Sequence, residues 1–372
     1  MQHRRRTSCS RAFTLWLFAA LPACAQTVVL EQGVSDGGGG GGGGGSTGLR
    51  DGSTSTDGRC FPSQGEKLPF TMQTPEVIVA LDRSTAMNME IGGGMTELSA
   101  VLNTLTSQVS GYGTLIRFGF IDFPDDLGTC PNSCCVSPLY TPPATVSMAN
   151  TGFFEGAAYT CNTPNTGGMG GLSCPTGSQR PTATALASCV TYYAMPSTSP
   201  QYVLLITDGE PSGGCGDARG DCQDAEDEVR ALSGSGVETI VIDLGAQSMP
   251  GDCLHDFAAQ QGANGAPYYY FTDANGLGDS FKTVGDAIAA DACHLTLTAA
   301  PDDPSLVSIY DGNDNQIPHD PTLGWSFDGS PIAITLNGQA CQNLIGDRNN
   351  HSAGLQIFYG CGSGHGSGQT SP

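Results

Sequence analysis

The most informative stretch of the chain is an apolar run at residues 77–81 that ends abruptly in Asp82, followed by small hydroxyl residues and glycines. The run is too short to span a membrane and too continuously apolar for a half-exposed strand. It therefore predicts a central strand of a parallel sheet, buried on both faces. Asp82 and Ser84 then lie at the carboxyl edge of that sheet, where open α/β sheets place their ligand sites.

Strand-like and helical patterns alternate after this run as far as residue 292. Apolar residues at helical spacing alternate with short, continuously apolar runs, a succession that is typical of βαβ units. The predicted fold class is therefore α/β, a doubly wound, mostly parallel sheet over residues 74–292. The predicted strands cover residues 77–81, 115–123, 202–206, 237–244 and 268–271, and the predicted helices cover 95–109, 181–194, 223–232, 252–261 and 279–290.

Two regions depart from this alternation. Residues 124–180 are rich in proline, glycine, threonine and cysteine, and they predict a cysteine-rich insertion that disulfides keep ordered. Residues 293–363 show short strand-like runs separated by turn residues, which predicts a small all-β module. We expect disulfides among Cys293, Cys341 and Cys361 to stabilise that module, and residues 364–372 to form a flexible tail.

The N-terminus has the pattern of an export signal. Arginines precede a short apolar run and a small-residue cleavage zone, so residues 1–23 are predicted to be a signal peptide. Two cleavage sites are possible. If residues 21–24 are a lipobox, Cys24 is the lipidated first residue of the mature chain. The alternative is ordinary signal cleavage by the A-x-A rule at residues 23–25. Residues 24–73, with their run of nine glycines, predict a flexible linker. The expected location is the outer membrane or cell surface as a lipoprotein, otherwise the periplasm or outside the cell.

Cysteine content and charge limit the classes of function. Thirteen cysteines follow Cys24, and in an exported chain they predict disulfides, with one thiol left over. Four of the 14 basic residues lie in the predicted signal, which leaves 10 against 36 acidic residues, a net charge of −26. Such a surface argues against nucleic-acid partners and against electrostatic attachment to anionic lipid. Membrane contact is expected only through a lipid anchor.

Three motifs, in this order, carry a resemblance to a known family. They are Asp82-Arg83-Ser84, the helix start Pro181-Thr182-Ala183-Thr184-Ala185-Leu186, and the turn Leu205-Ile206-Thr207-Asp208-Gly209. Over residues 74–292 the chain resembles the von Willebrand factor A family. The resemblance implies a metal-ion-dependent adhesion site made from Asp82, Ser84 and Asp208, with Mg²⁺ completed by an acidic group of the partner. The wider layout is similar to exported lipoproteins of Gram-negative bacteria, especially myxobacteria.

Two positions depart from the family pattern. Ala86 has no oxygen to offer where the first motif continues with a serine, and Arg180 occupies the place of the metal-binding threonine. A guanidinium beside Asp82 and Asp208 would pair with both carboxylates and keep them ionised. The site is therefore a degenerate adhesion site, and the expected cofactor is none or a weakly bound Mg²⁺.

The function expected from the sequence is binding and not catalysis. The expected partner is a protein or surface ligand with an exposed acidic or polar group, contacted through Arg180, Thr182, Asp208 and Glu210. The alternative is a structural cell-envelope protein whose adhesion site has decayed. Cys253-Leu254-His255 and Cys293-His294 are isolated pairs, which do not make a zinc site, and no nucleophile-elbow motif follows a predicted strand.

Overall fold

The computed structural model describes residues 65–92, 95–113, 115–124, 136, 179–195, 197–212, 221–245, 251–259, 269–273, 276–346 and 354–360. The predicted signal peptide, Cys24, most of the linker, most of the cysteine-rich insertion, Cys361 and the predicted tail lie outside these residues. The described strands are β1 (Glu66–Lys67), β2 (Phe70–Met72), β3 (Glu76–Asp82), β4 (Glu90–Gly92), β5 (Met95–Thr96), β6 (Arg117–Phe123), β7 (Gln201–Thr207), β8 (Val237–Asp243), β9 (Tyr269–Phe271), β10 (His294–Leu297), β11 (Val307–Tyr310), β12 (Gln316–Ile317), β13 (Trp325–Phe327), β14 (Ala333–Leu336) and β15 (Gln356–Tyr359). The α-helices are α1 (Glu97–Tyr112), α2 (Thr182–Tyr193), α3 (Asp221–Gly234), α4 (Cys253–Ala259), α5 (Leu277–Ala289) and α6 (Gly338–Gly346).

The central sheet has five strands in the order β6-β3-β7-β8-β9. Every neighbouring pair is parallel. The opening strand β3 lies inside the sheet, and six of its seven residues are buried. The predicted fold class is thus confirmed.

Helices cover both faces of this sheet. Because side chains alternate along a strand, Val77, Val79 and Leu81 of β3 face one apolar core, and Ile78 and Ala80 face another. Helices α1 and α5 close the first core, and α2, α3 and α4 close the second. Thr96 begins α1 by accepting a hydrogen bond from the Ser99 backbone N–H, a distance of 3.2 Å.

The C-terminal module contains two four-stranded antiparallel sheets, β1-β15-β11-β12 and β13-β14-β10-β2. Strands β1 and β2 belong to the stretch predicted as linker, so the linker prediction of 24–73 extends too far. The two strands pair with β15 and β10, which lie more than 200 residues away in the chain. The module is also not entirely β, because helix α6 carries Cys341, which forms a disulfide with Cys293.

The apolar core on the α1 side of the central sheet continues into this module. Leu295, Trp325, Ile334 and Ile357 belong to the same buried cluster as Val77 and Leu98. Within the described part of the chain, no helix is both long enough and apolar enough to cross a membrane.

Candidate functional site

Three adjacent parallel strands bring their last polar residues together. Leu81 lies opposite Ile206, and Thr207 lies opposite Asp243, so β3, β7 and β8 end nearly in line. Asp82, Thr207 and Asp243 are all fully buried at these ends. The Thr207 hydroxyl donates a 2.7 Å hydrogen bond to Oδ2 of Asp82. The carboxyl edge of the sheet is therefore the place where buried acidic groups collect.

Arg180 reaches this edge from the residues before α2. Its backbone pairs with Ser212 in an isolated antiparallel bridge, with an N–O distance of 2.8 Å from Arg180 to Ser212. The side-chain Nε lies 3.3 Å from Oδ2 of Asp82, and Nη2 lies 2.9 Å from Oδ1 of Asp208. Nε also donates to Oδ1 of Asp208 at 3.1 Å. One guanidinium thus connects the two carboxylates.

A glycine gives the guanidinium its space. A Cβ placed on Gly209 would stand 3.2 Å from both Cζ and Nη1 of Arg180. The planar end of the arginine therefore packs against the backbone directly after Asp208. This contact limits how far the guanidinium can move away from the two aspartates.

Burial dominates the electrostatics of Asp82. Loss of water raises the pKa of its carboxyl group to about 6, against the lowering effects of the Ser84 N–H, the Thr207 hydroxyl and Arg180. The nearby charge of Asp208 adds to the rise. Asp82 is then mostly ionised at neutral pH, but the arginine does not give it the depressed pKa of an ordinary ion pair.

Two further carboxyl groups share this environment. Burial raises the pKa of Asp208, although Arg180 opposes it and Asp243 adds to it. Glu97, the first residue of α1, is 7% exposed, and its Oε2 has no hydrogen-bond partner among the described residues. Burial, with the charges of Asp208 and Asp243, raises the pKa of Glu97 to about 7. The edge holds more acidic groups than Arg180 can neutralise.

A second buried arginine closes the neighbouring strand end. Arg83 pairs with Oδ2 of Asp122 on β6, and its backbone N–H donates to the Phe123 carbonyl at 2.6 Å. Asp122 is fully buried, and Arg83 is 6% exposed. This pair was not predicted from the sequence, and neither were Glu97 and Asp243. Asp243 carries the same signal as Asp82, since it too ends an apolar strand.

The described residues do not fit the metal shell that the family resemblance implies. The guanidinium of Arg180 lies against the Asp82 and Asp208 oxygens that would coordinate the ion. Ala86 offers no side-chain oxygen. Among the described residues, no group of three or more His, Cys, Asp or Glu side chains is arranged to hold a metal ion. Ser84 is 1% exposed, and in the described part of the chain its hydroxyl oxygen Oγ has no hydrogen-bond partner.

The structure places the remaining predicted site residues in internal contacts. Thr182 is 1% exposed, and its hydroxyl lies 3.4 Å from the Arg180 carbonyl, so its side chain is not at the surface where the partner prediction needs it. Glu210 accepts a 3.2 Å hydrogen bond from the Leu254 N–H in the first turn of α4. Asp208 is 8% exposed. Arg180, with 19% of its side chain exposed, and Glu210, which is half-buried, are the more accessible of the four predicted partner-binding residues.

Similar folds occur among solved structures at low similarity. The pilus adhesin SpaC of Lactobacillus rhamnosus GG is 12% identical with a TM-score of 0.43, over 79% of this chain and 40% of that chain. The manganese-loaded TRAP protein of Plasmodium vivax is 14% identical with a TM-score of 0.38, over 59% of this chain and 76% of that one. BatB of Bacteroides thetaiotaomicron is 15% identical with a TM-score of 0.38, over 58% and 98%.

This chain thus spans less than half the length of SpaC. At these identities and TM-scores the likenesses carry no functional argument. No protein-family model matches the sequence, and no curated protein matches it.

Proposed function

We propose that this chain is an exported, non-enzymatic binding protein of von Willebrand factor A type that contacts a protein partner through the carboxyl edge of its sheet. The supporting observation is the position of Arg180, which lies 2.9 Å from Asp208 and 3.3 Å from Asp82. The guanidinium takes the place of the adhesion-site metal, so partner binding needs no cofactor. Lipidation at Cys24 would hold the protein at the outer membrane or cell surface.

Two features support this proposal. The disulfides Cys222–Cys253 and Cys293–Cys341 agree with an exported chain. Asp82 and Asp208 are buried and tied to Arg180, an arrangement that fixes their side chains and suits a binding surface. The Cys222–Cys253 disulfide joins the first turns of α3 and α4, and both helices begin at this edge.

The proposal is tested with a partner protein that is captured from the cell envelope of the source organism and then purified. The affinity of this partner is measured for the mature chain with and without EDTA. It is also measured for two variants, each of which replaces an exposed threonine with a larger side chain. Thr85→Trp alters the carboxyl edge, whereas Thr198→Trp alters the amino edge, between α2 and β7. We expect Thr85→Trp to weaken binding at least tenfold and Thr198→Trp and EDTA to change it less than twofold.

Two results would count against the proposal. Loss of binding in EDTA would restore a metal-dependent mechanism. Equal losses in the two tryptophan variants, or no captured partner at all, would favour the alternative of a structural envelope protein with a decayed site.

A further inference from the structure

A short hairpin beside the candidate site exposes apolar side chains. Strands β4 and β5 lie between a 3-10 turn at Thr85–Asn88, which follows Ser84 at the end of β3, and helix α1, so the hairpin lies at the carboxyl edge. Ile91 and Met95 lie in its two strands and are 37% and 42% exposed, and Met89, directly before β4, is 61% exposed. Elsewhere in the described part of the chain, only Met195 and Leu323 are exposed large apolar residues. Exposed apolar side chains that cluster in this way indicate an interaction surface, and methionine adapts its shape to a partner.

The hairpin is continuous with the buried acidic groups. The Met89 carbonyl accepts a 3.1 Å hydrogen bond from the N–H of Glu97. Glu97 is in turn close enough to Asp208 and Asp243 for their charges to raise its pKa. Apolar and acidic groups therefore form one surface, which we call the β4–β5 surface: Met89, Glu90, Ile91 and Met95, with Ser84 and Glu97 at its base.

Charge decides which partner fits this surface. A divalent ion between Asp82 and Asp208 would give a neutral site that accepts a partner's carboxylate, as the family resemblance implies. Arg180 supplies a single positive charge in that place, so the three groups together keep a net charge of −1. Glu90 adds further negative charge, as does Glu97 in its ionised form, and the sequence between Ser84 and Ile116 contains no lysine or arginine. A carboxylate brought to this edge would be repelled, whereas a cation would be attracted.

Two buried oxygens at this edge lack a hydrogen-bond partner among the described residues: Oε2 of Glu97, which is 7% exposed as a residue, and Oγ of Ser84, which is 1% exposed. Buried polar atoms without partners are costly, and both are shielded from solvent, so a cation at the surface acts on Glu97 through its charge. An ammonium or guanidinium group supplies the positive charge that this edge lacks.

The geometry points to a basic, amphipathic protein segment as the partner of the β4–β5 surface, with apolar side chains on Met89, Ile91 and Met95 and a lysine or arginine directed toward Glu97 and Ser84. This inference rests on the proposed function, because it names the partner chemistry of the same edge. The recognised group is then positively charged, whereas metal-containing adhesion sites recognise a negatively charged group. A basic partner thus replaces the acidic partner expected from the sequence.

Synthetic peptides test the inference on the mature chain. Three twelve-residue probes of alternating pattern are compared by fluorescence anisotropy: lysine with leucine, glutamate with leucine, and lysine with serine. We expect the lysine–leucine peptide to bind at least tenfold more tightly than either of the others. Because the whole chain is acidic, the lysine–serine peptide measures attraction by charge alone.

Variants locate the binding. Met89→Ser combined with Ile91→Ser is expected to weaken lysine–leucine binding about tenfold, and Glu90→Lys at least fivefold. Met195→Ser is the matched control, since that exposed methionine follows α2 at the amino edge, and we expect it to have no effect. Hydrogen exchange in the bound state should slow in residues 84–97.

The possible negative results distinguish failure of this inference from failure of the proposed function. Equal binding of the lysine–leucine and lysine–serine peptides, or equal losses in the Met195→Ser control, overturns the inference. Tighter binding of the glutamate–leucine peptide with protection of residues 84–97 overturns the sign of the charge but leaves the proposed function standing. Absence of protection with all three peptides overturns the inference, while the partner experiment still judges the proposed function. Association of the chain with itself through residues 84–97, seen by sedimentation, would name a second copy as the occupant and also overturn it.

Discussion

The two edges of the central sheet each use an arginine, but they balance charge differently. At the amino edge, Nη2 of Arg117 lies 2.6 Å from Oε1 of Glu76 and donates to the Ser199 hydroxyl at 2.7 Å. One arginine there meets one carboxylate, and both side chains are partly exposed. At the carboxyl edge, Arg180 meets two buried aspartates, and Glu97 lies nearby.

The difference between the edges lies in their balance of charge. At the amino edge the charges of Arg117 and Glu76 cancel and both side chains are partly exposed, although Nε of Arg117 lacks a hydrogen-bond partner among the described residues. The carboxyl edge keeps excess negative charge out of water, and the buried Oε2 of Glu97 and Oγ of Ser84 lack such a partner as well. Buried charge that the chain itself does not neutralise is typical of a functional surface.

The largest expected contrast is in stability, between a variant that lacks Arg180 and a variant that lacks Arg117. Arg180→Met leaves Asp82 and Asp208 buried without a cation, and we expect it to lower the free energy of unfolding by about 3–5 kcal/mol. Arg117→Met breaks a partly exposed pair and should cost about 1 kcal/mol. Urea unfolding at pH 7 measures both. Equal losses of unfolding free energy in the two variants would mean that the two edges do not differ in how they balance charge.

A smaller effect is expected from Glu97→Gln, and it depends on pH. The pKa of Glu97 is raised from 4.5 to about 7, so its stabilising contribution is present below pH 4.5 and lost as pH rises through 7. The wild-type chain should therefore lose about 1–2 kcal/mol between pH 5 and 8 that the Gln variant keeps, after allowance for solvent screening.

Urea unfolding across that pH range checks this expectation. Glu90→Gln, at an exposed position of the hairpin, is the control and should follow the wild-type curve. Parallel curves for the wild type and Glu97→Gln would show that Glu97 ionises like an ordinary glutamate.

The smallest effect concerns the glycine under the guanidinium. Gly209→Ala places a Cβ about 3.2 Å from Cζ of Arg180 and should displace the guanidinium by a few tenths of an ångström. We expect a loss of about 1 kcal/mol in the free energy of unfolding. Gly278→Ala in α5, where a Cβ meets nothing within 4 Å, should instead stabilise by about 0.5 kcal/mol. Stabilisation by both changes would contradict the close packing of Arg180.

Much of the fold was predictable because its strands and helices are long and periodic. Strands β3, β7 and β8 each contain a short apolar run that ends in a polar residue, so local pattern alone indicates a parallel sheet and its carboxyl edge. Strands β1 and β2 have two and three residues and pair across more than 200 positions of the chain. No local pattern can reveal strands that exist only through distant partners.

The candidate site was predictable only in part. The family resemblance places Arg180 beside Asp82 and Asp208, and their contact follows from the order of the strands. Glu97 is the first residue of a helix, where an acidic residue is ordinary, so nothing in the sequence marks it as buried near two aspartates. The pKa of Asp82 also differs from expectation, because burial outweighs the neighbouring arginine.

Calorimetric titration with Mg²⁺ and Mn²⁺ tests the central claim most directly, which is that Arg180 takes the place of a metal ion. The account predicts no saturable binding by the wild-type chain at millimolar ion concentrations. It predicts measurable binding by the double variant Arg180→Thr with Ala86→Ser, which removes the guanidinium and adds the missing oxygen. Micromolar binding by the wild-type chain, abolished by Asp208→Asn, would contradict the account.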